Sequence, residues 1–410
     1  MFNYILTHTS LQQKHAVIPL LFLLQILASM AMDIHLPVAP RIVSDLGTTE
    51  FMVQLLVIMS VVLTTMTPLF WGYLSDCYGR RQVFFPACLF LVTGQFLCAV
   101  APTIEFLLMS RFIQYLGAGA MFSVNMAIIC DQYAGRERAQ MLALLEMTIP
   151  IALIIAPIFG SFFASAVHWR FSFLFLAVCQ LFTLLSLVKR LPETLVEKKQ
   201  FHFKQIYTVS FRLLQNRKFT HYAVFLAFVN APYMIFITHS SFFYINHFRY
   251  SASSYAFIHS MLVFIYLLGI VIYRKLMTNQ TLTGALNQNM WGLVLFFMLN
   301  AAITLGILPF NVGWVTVSMA ISCLVSGPII ASCNSLAISE HNDYLGTCSA
   351  LVELFVGAVA GVSMFLSSCF VQTYGNKSVY GFMSLTALIS VLLWIRTPSD
   401  FRKIEGSQNR

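Results

Sequence analysis

Four ionisable side chains interrupt long apolar runs of the 410-residue chain: Asp33, Arg111, Glu146 and Glu353. An ionisable group inside a bilayer costs about 2.5–3.5 kcal/mol even on the most lenient insertion scale, so such groups mark functional sites by default. Asp33 stands beside His35 and before Pro37. A carboxyl group there can take up and release a proton, or it can cap the chain break that Pro37 imposes. Arg111 is a permanent cation that needs a partner. Asp33 is the expected one: the guanidinium would hold the carboxylate charged until a proton or a substrate competes, unless the two form a purely structural ion pair.

Glu146 and Glu353 lie about two turns inside their runs, roughly 10 Å deep at 1.5 Å per residue. They are expected to act as a pair of gate residues, Glu146 reaching Arg274 or Lys275 and Glu353 reaching Arg80 or Arg81, since long basic side chains snorkel that far. Alternatively, Glu146 faces a cavity and reads a cationic substrate. A further charged cluster lies in "GYLSDCYGRR", Gly72 to Arg81. Its glycines permit a tight turn, and Asp76 can favour a helix N-terminus or pair with an arginine. Asp76, Gly79, Arg80 and Arg81 could lock and release an inter-helix contact, or serve only as a loop that sets topology. The run "FLAFVNAPYMIFITHSSFFY" offers Asn230, Tyr233, Phe236 and His239 as an aromatic, partly polar cavity wall suited to lipophilic or cationic molecules. A hydrogen-bonded core position for His239 is the alternative.

The elements that must position these residues follow from composition. The chain is 59% hydrophobic and 10% charged, against about 25% charged in a soluble domain. A membrane protein with many spans accounts for this, and twelve apolar runs are legible: 15–36, 50–73, 82–101, 103–128, 139–163, 170–189, 220–245, 253–273, 288–308, 312–337, 345–370 and 377–396. The alternating ten-residue segments of a transmembrane barrel are absent. With the N-terminus inside, 19 of the 24 Lys and Arg residues fall on the cytoplasmic side and 4 on the outer side, so the positive-inside rule places both termini in the cytoplasm. The expected domains are a first six-helix bundle over 1–189, a cytoplasmic linker over 190–219, and a second bundle over 220–410. Within the linker, "FHFKQIYTVSFRLLQNRKF" reads either as a basic amphipathic helix at the inner surface or as plain linker. The net charge of +9 is thus explained by topology, and no nucleic-acid partner is expected.

Nine scattered cysteines include no CxxC pair, and the chain holds no HExxH and no GxxxxGK[ST]. Neither metal site, disulfide framework, ATP drive nor cofactor is expected, and an enzyme is disfavoured.

"GYLSDCYGRR" resembles the G-x-L-x-D-x-x-G-R-R loop of the major facilitator superfamily, with Cys77 where a basic residue is usual. That departure leaves Asp131, at the end of the fourth run, to lean on Arg80 or Arg81. "RFIQYLGAGA" resembles the superfamily's fourth-span motif. "APIFGS", with Pro157 and Gly160, resembles the fifth-span antiporter motif. "MDIHLPVAP", "HWRFSFLF", "LPETL" and "GTCSALVELF" are similar to segments of the twelve-span drug:proton antiporters of the bicyclomycin-resistance type. The resemblance implies an all-α fold of two pseudo-symmetric six-helix bundles, a cavity between them, and alternating access. It further implies proton-coupled export of lipophilic or cationic small molecules by a monomer in a bacterial inner membrane. Export of a single metabolite or siderophore, and a receptor or enzyme that does not transport, are the other readings.

Overall fold

The computed structural model describes residues 11–195, 210–276, 282–338 and 345–398. These residues include twelve helices long and apolar enough to cross a membrane, and no strand. Helices answer the hydrocarbon environment directly, because every backbone N–H and C=O must find its partner within the segment. The first span is compound: α1 (Leu11–Asp33) gives way to a 3-10 turn (Leu36–Val38) and a short helix α2 (Ala39–Asp45). Pro37 lies at the start of that turn, where its missing N–H costs nothing. The span therefore extends to Asp45, beyond the apolar run that ends at 36.

The remaining helices of the first half are α3 (Glu50–Tyr78), α4 (Arg80–Ala99), α5 (Ile104–Gln132), α6 (Gly135–Ala166) and α7 (Trp169–Val188). Those of the second half are α8 (Arg217–Ser241), α9 (Ala252–Leu276), α10 (Leu282–Thr304), α11 (Val312–Ile338), α12 (Leu345–Tyr374) and α13 (Lys377–Ile395). Local signals set several starts. The Thr103 side chain accepts from Phe106 N to cap α5, and Asn216 accepts from Lys218 N and Phe219 N to cap α8. At its far end α8 widens into a π turn, Phe242–His247, and Arg249 just beyond has φ of 60°. Of the expected amphipathic stretch, residues 201–209 lie outside the described residues, and 210–215 are helical.

By packing, the chain divides into two compact units: 1–46 with 66–201, and 47–65 with 202–410. The first part of α3 thus groups with the second unit and the rest of α3 with the first. Within the first unit, α1 packs on α5, α6 and α7, and α4 packs on α5 and α7. Within the second, α8 packs on α11, α12 and α13, and α10 packs on α11 and α13. For these helices the two neighbour patterns correspond, as a repeated unit requires.

Candidate transport site

The first unit buries a polar cluster around Arg111, which lies about two turns into α5 and is 0% exposed. Its Nη1 donates to Ala31 O (2.8 Å), Gln114 Oε1 (3.1 Å) and Tyr115 Oη (2.8 Å). The guanidinium sits over the rings of Phe173, at 4.8 Å, and Tyr115, at 5.3 Å. Those π faces supply part of the stabilisation that water would otherwise give the charge. The Ala31 carbonyl is available because α1 ends at Asp33, so residues just beyond it leave the regular ladder.

Asp33 is buried on the same stretch of α1 but is not among the hydrogen-bond partners of Arg111, all of which are neutral. His35 lies within electrostatic reach of Arg111. It is completely buried, close to the Met32 backbone. One strand of the cluster continues to Cys98, whose Sγ lies 3.7 Å from Gln114 Oε1. Deeper in the unit, Asn125 Nδ2 donates to Gln25 Oε1 and Gln180 Nε2 to Leu27 O, tying α5 and α7 to α1.

Pro157 and Gly160 belong to the buried face of α6. A Cβ at Gly160 would collide with the Ile34 carbonyl, so α6 lies backbone to backbone against the break in the first span. Glu146 lies nearer the start of α6, on the same side of the helix. The exposed stripe is Leu144, Met147, Ile151, Ile158 and Phe162. At 3.6 residues per turn, Glu146 stands about 130° round the helix from it, in line with Leu153, Pro157, Gly160 and Ala164. The last three are buried, whereas Glu146 is exposed and, among the described residues, makes neither hydrogen bond nor ion pair. Glu353 is exposed on α12.

The "GYLSDCYGRR" stretch forms a clasp at the junction of α3 and α4. Gly79 breaks the helix with φ of 116°, a conformation that favours glycine. Arg80, with a side chain 8% exposed, bridges two acids: Nη1 meets Asp76 Oδ1, and Nε donates to Asp131 Oδ2 at 2.9 Å. Asp131, left by the sequence to either arginine, pairs with Arg80. Arg81 turns the other way and donates to Leu191 O and Val188 O at the end of α7 (2.8 Å each).

Sequence reasoning missed the acid that completes this clasp. Glu193 Oε1 accepts from Arg80 N (2.8 Å) and Oε2 from Arg81 N (3.1 Å), capping α4 from 113 residues away. Oε1 also accepts from Thr194 N and Leu195 N, and Thr194 Oγ1 donates to Asp131 Oδ2 at 3.0 Å. A signal for it existed: α4 starts after Gly79, which has no capping side chain, so its first N–H groups need an acceptor from elsewhere.

In the second unit, Phe236 and His239 are buried on α8, and Asn230 and Tyr233 are half-buried. His239 is held at both nitrogens: Gln54 Nε2 lies 3.1 Å from Nδ1, and Ser367 Oγ 3.0 Å from Nε2. Ser367 spends its own hydrogen on Met364 O, so Nε2 carries the proton and Nδ1 accepts from the Gln54 amide. The ring stacks on Phe243 at 5.8 Å. No His, Cys, Asp and Glu cluster among the described residues has the makings of a metal site.

Residues 21–361 match the Major Facilitator Superfamily. The chain is 35% identical to multidrug resistance protein MdtL of Escherichia coli O157:H7 over 176 residues, which span 42% of this chain and 44% of that one. It is 22% identical to chloramphenicol resistance protein CraA of Acinetobacter baumannii over 330 residues, 80% of this chain and 78% of that one. Its match to MdtL therefore spans less than half of that relative's length. Among solved structures, a D-xylose–proton symporter superposes with a TM-score of 0.71 at 12% identity, covering 94% of this chain and 98% of that one, which establishes the likeness of fold. With twelve helices of membrane-spanning character, a repeated six-helix packing pattern and a family match over most of its length, the chain belongs to the Major Facilitator Superfamily, integral membrane transporters of small molecules rather than enzymes.

Proposed function

We propose that the protein is a proton-coupled exporter of lipophilic small molecules, cationic ones included, of the twelve-span drug:proton antiporter type with bicyclomycin-resistance-like motifs. It would work by alternating access as a monomer in a bacterial inner membrane, with both termini in the cytoplasm. The observation that supports this reading is the burial of Asp33 and Arg111 in the interior of one unit, a carboxyl group and a permanent cation among apolar helices. Such groups are kept against their insertion cost when they move protons or bind cargo. Asp33 is assigned the proton, and Arg111 the charge that responds to it. The relatives' names, multidrug and chloramphenicol resistance, support export of drug-like molecules.

The clasp of Asp76, Arg80, Asp131 and Glu193 is assigned to the cytoplasmic end, where it stiffens the α3–α4 junction. Glu146, on a line of α6 that is core at one end and open at the other, is assigned to the water-accessible side rather than to lipid. The test of the whole reading is dye uptake by inside-out vesicles under an imposed proton gradient. Gradient-driven uptake supports it, and loss of that uptake in Asp33→Asn locates the coupling. A dedicated exporter of one metabolite is the second reading, favoured by the buried, partnerless Nε/Nη2 edge of Arg111.

A further inference from the structure

We infer that the Nε/Nη2 edge of Arg111 docks a carboxylate of the transported molecule, an inference that rests on the export reading and narrows its substrate class. Arg111 Nη1 has two hydrogens and already faces three acceptors, Ala31 O, Gln114 Oε1 and Tyr115 Oη. Its Nε and Nη2 are buried and have no hydrogen-bond partner. These two nitrogens share one edge of the planar guanidinium and present parallel N–H groups at the spacing of two carboxylate oxygens. The plane itself is fixed by the rings of Phe173 and Tyr115.

A second observation points the same way. Gln114 Nε2 is likewise buried without a hydrogen-bond partner, and Gln114 is bonded directly to Arg111. A buried cation whose hydrogen-bonding partners are all neutral is costly, and an anion meeting it with two charge-assisted bonds offsets that cost. Lipid headgroups are excluded by burial: Arg111 is sealed inside the helices of its unit at 0% exposure. The bond from Nη1 to Ala31 O ties this arginine to α1, so displacement of α1 past α5 is the movement that opens the edge to cargo.

The test uses the purified full-length protein in detergent, with thermal unfolding read against benzoate, its methyl ester, and chloride at equal ionic strength. Benzoate is expected to raise the midpoint saturably, while the ester and chloride leave it unchanged. That comparison needs no variant. Arg111→Lys, which keeps the charge and loses the planar edge, should weaken the benzoate effect by about tenfold, and Arg111→Gln should abolish it. Equal stabilisation by acid and ester, or an undiminished benzoate effect in Arg111→Gln, overturns the inference. Benzoate binding that emerges only in Asp33→Asn gives the edge to Asp33 and also overturns it. Proton-driven dye uptake measured in parallel separates the two ideas. Uptake without carboxylate binding removes the docking site alone, and carboxylate binding without proton-driven transport of any compound removes the export reading alone.

Discussion

Replacing Glu193 by alanine tests the clasp most sharply, because that carboxylate accepts from four backbone N–H groups: Arg80, Arg81, Thr194 and Leu195. Two of these begin α4. Loss of a helix cap costs about 1 kcal/mol. The negative charge at the helix N-terminus adds about 0.3–1 kcal/mol. Glu193 is exposed, so its remaining bonds compete with water, and the sum stays near 1–3 kcal/mol. At 0.59 kcal/mol for RT, this multiplies the local opening equilibrium by about 5- to 150-fold. Hydrogen exchange on peptides covering Gly79–Phe84 in nanodiscs reads that factor directly. Protection at Arg80 and Arg81 should fall by this amount, while peptides from α8–α13 stay unchanged. Glu193→Gln, which keeps one acceptor oxygen, should lie between. Unchanged exchange at Arg80 and Arg81 in Glu193→Ala would refute the capping argument, because their protection would then owe nothing to the Glu193 carboxylate.

Three further outcomes are expected. Gly160→Val should lower the yield of folded protein and its thermal midpoint far more than Val at exposed Ile158 does, since only the former pushes α6 off the Ile34 carbonyl; equal behaviour would contradict the close packing. His239→Leu should destabilise by about 1–3 kcal/mol, because Gln54 and Ser367 lose a buried partner. His239→Gln should recover part of that loss, and an isosteric neutral effect of Leu would make both hydrogen bonds dispensable. In a background lacking the nine native cysteines, Ala134→Cys should react with an impermeant maleimide only from the cytoplasmic face and Asn376→Cys only from the outside; the reverse pattern would invert the assigned topology.

The helices were legible because hydrocarbon leaves the backbone few alternatives: length and apolarity alone located all twelve. Their ends were less so. The first span runs on to Asp45 through a Pro37 turn that reads, in sequence, as its termination. The π turn at Phe242–His247 carries no compositional mark, and neither does the division of α3 between two packing units. At the site, charged residues were conspicuous because the bilayer penalises them wherever they occur. Their partners were not. Arg111 was expected to seek a carboxylate and instead bonds to a backbone carbonyl, an amide and a phenol, with Phe173 beneath it from a helix some sixty residues on. Neutral partners of this kind have no pattern of their own; only the packing of α1, α5 and α7 brings them together. Glu193 was hidden for the complementary reason. In a polar loop a lone acid looks like solubility, and its role emerges once α4 is seen to begin without a cap of its own.

Proton-coupled export through Asp33 is decided in inside-out vesicles energised with an acid interior, comparing wild type with Asp33→Asn for uptake of a lipophilic dye and for dye-induced proton efflux. Gradient-dependent uptake with matching proton release is expected in wild type, with loss of both in the variant. Uptake and proton release of equal size in Asp33→Asn would contradict coupling through Asp33.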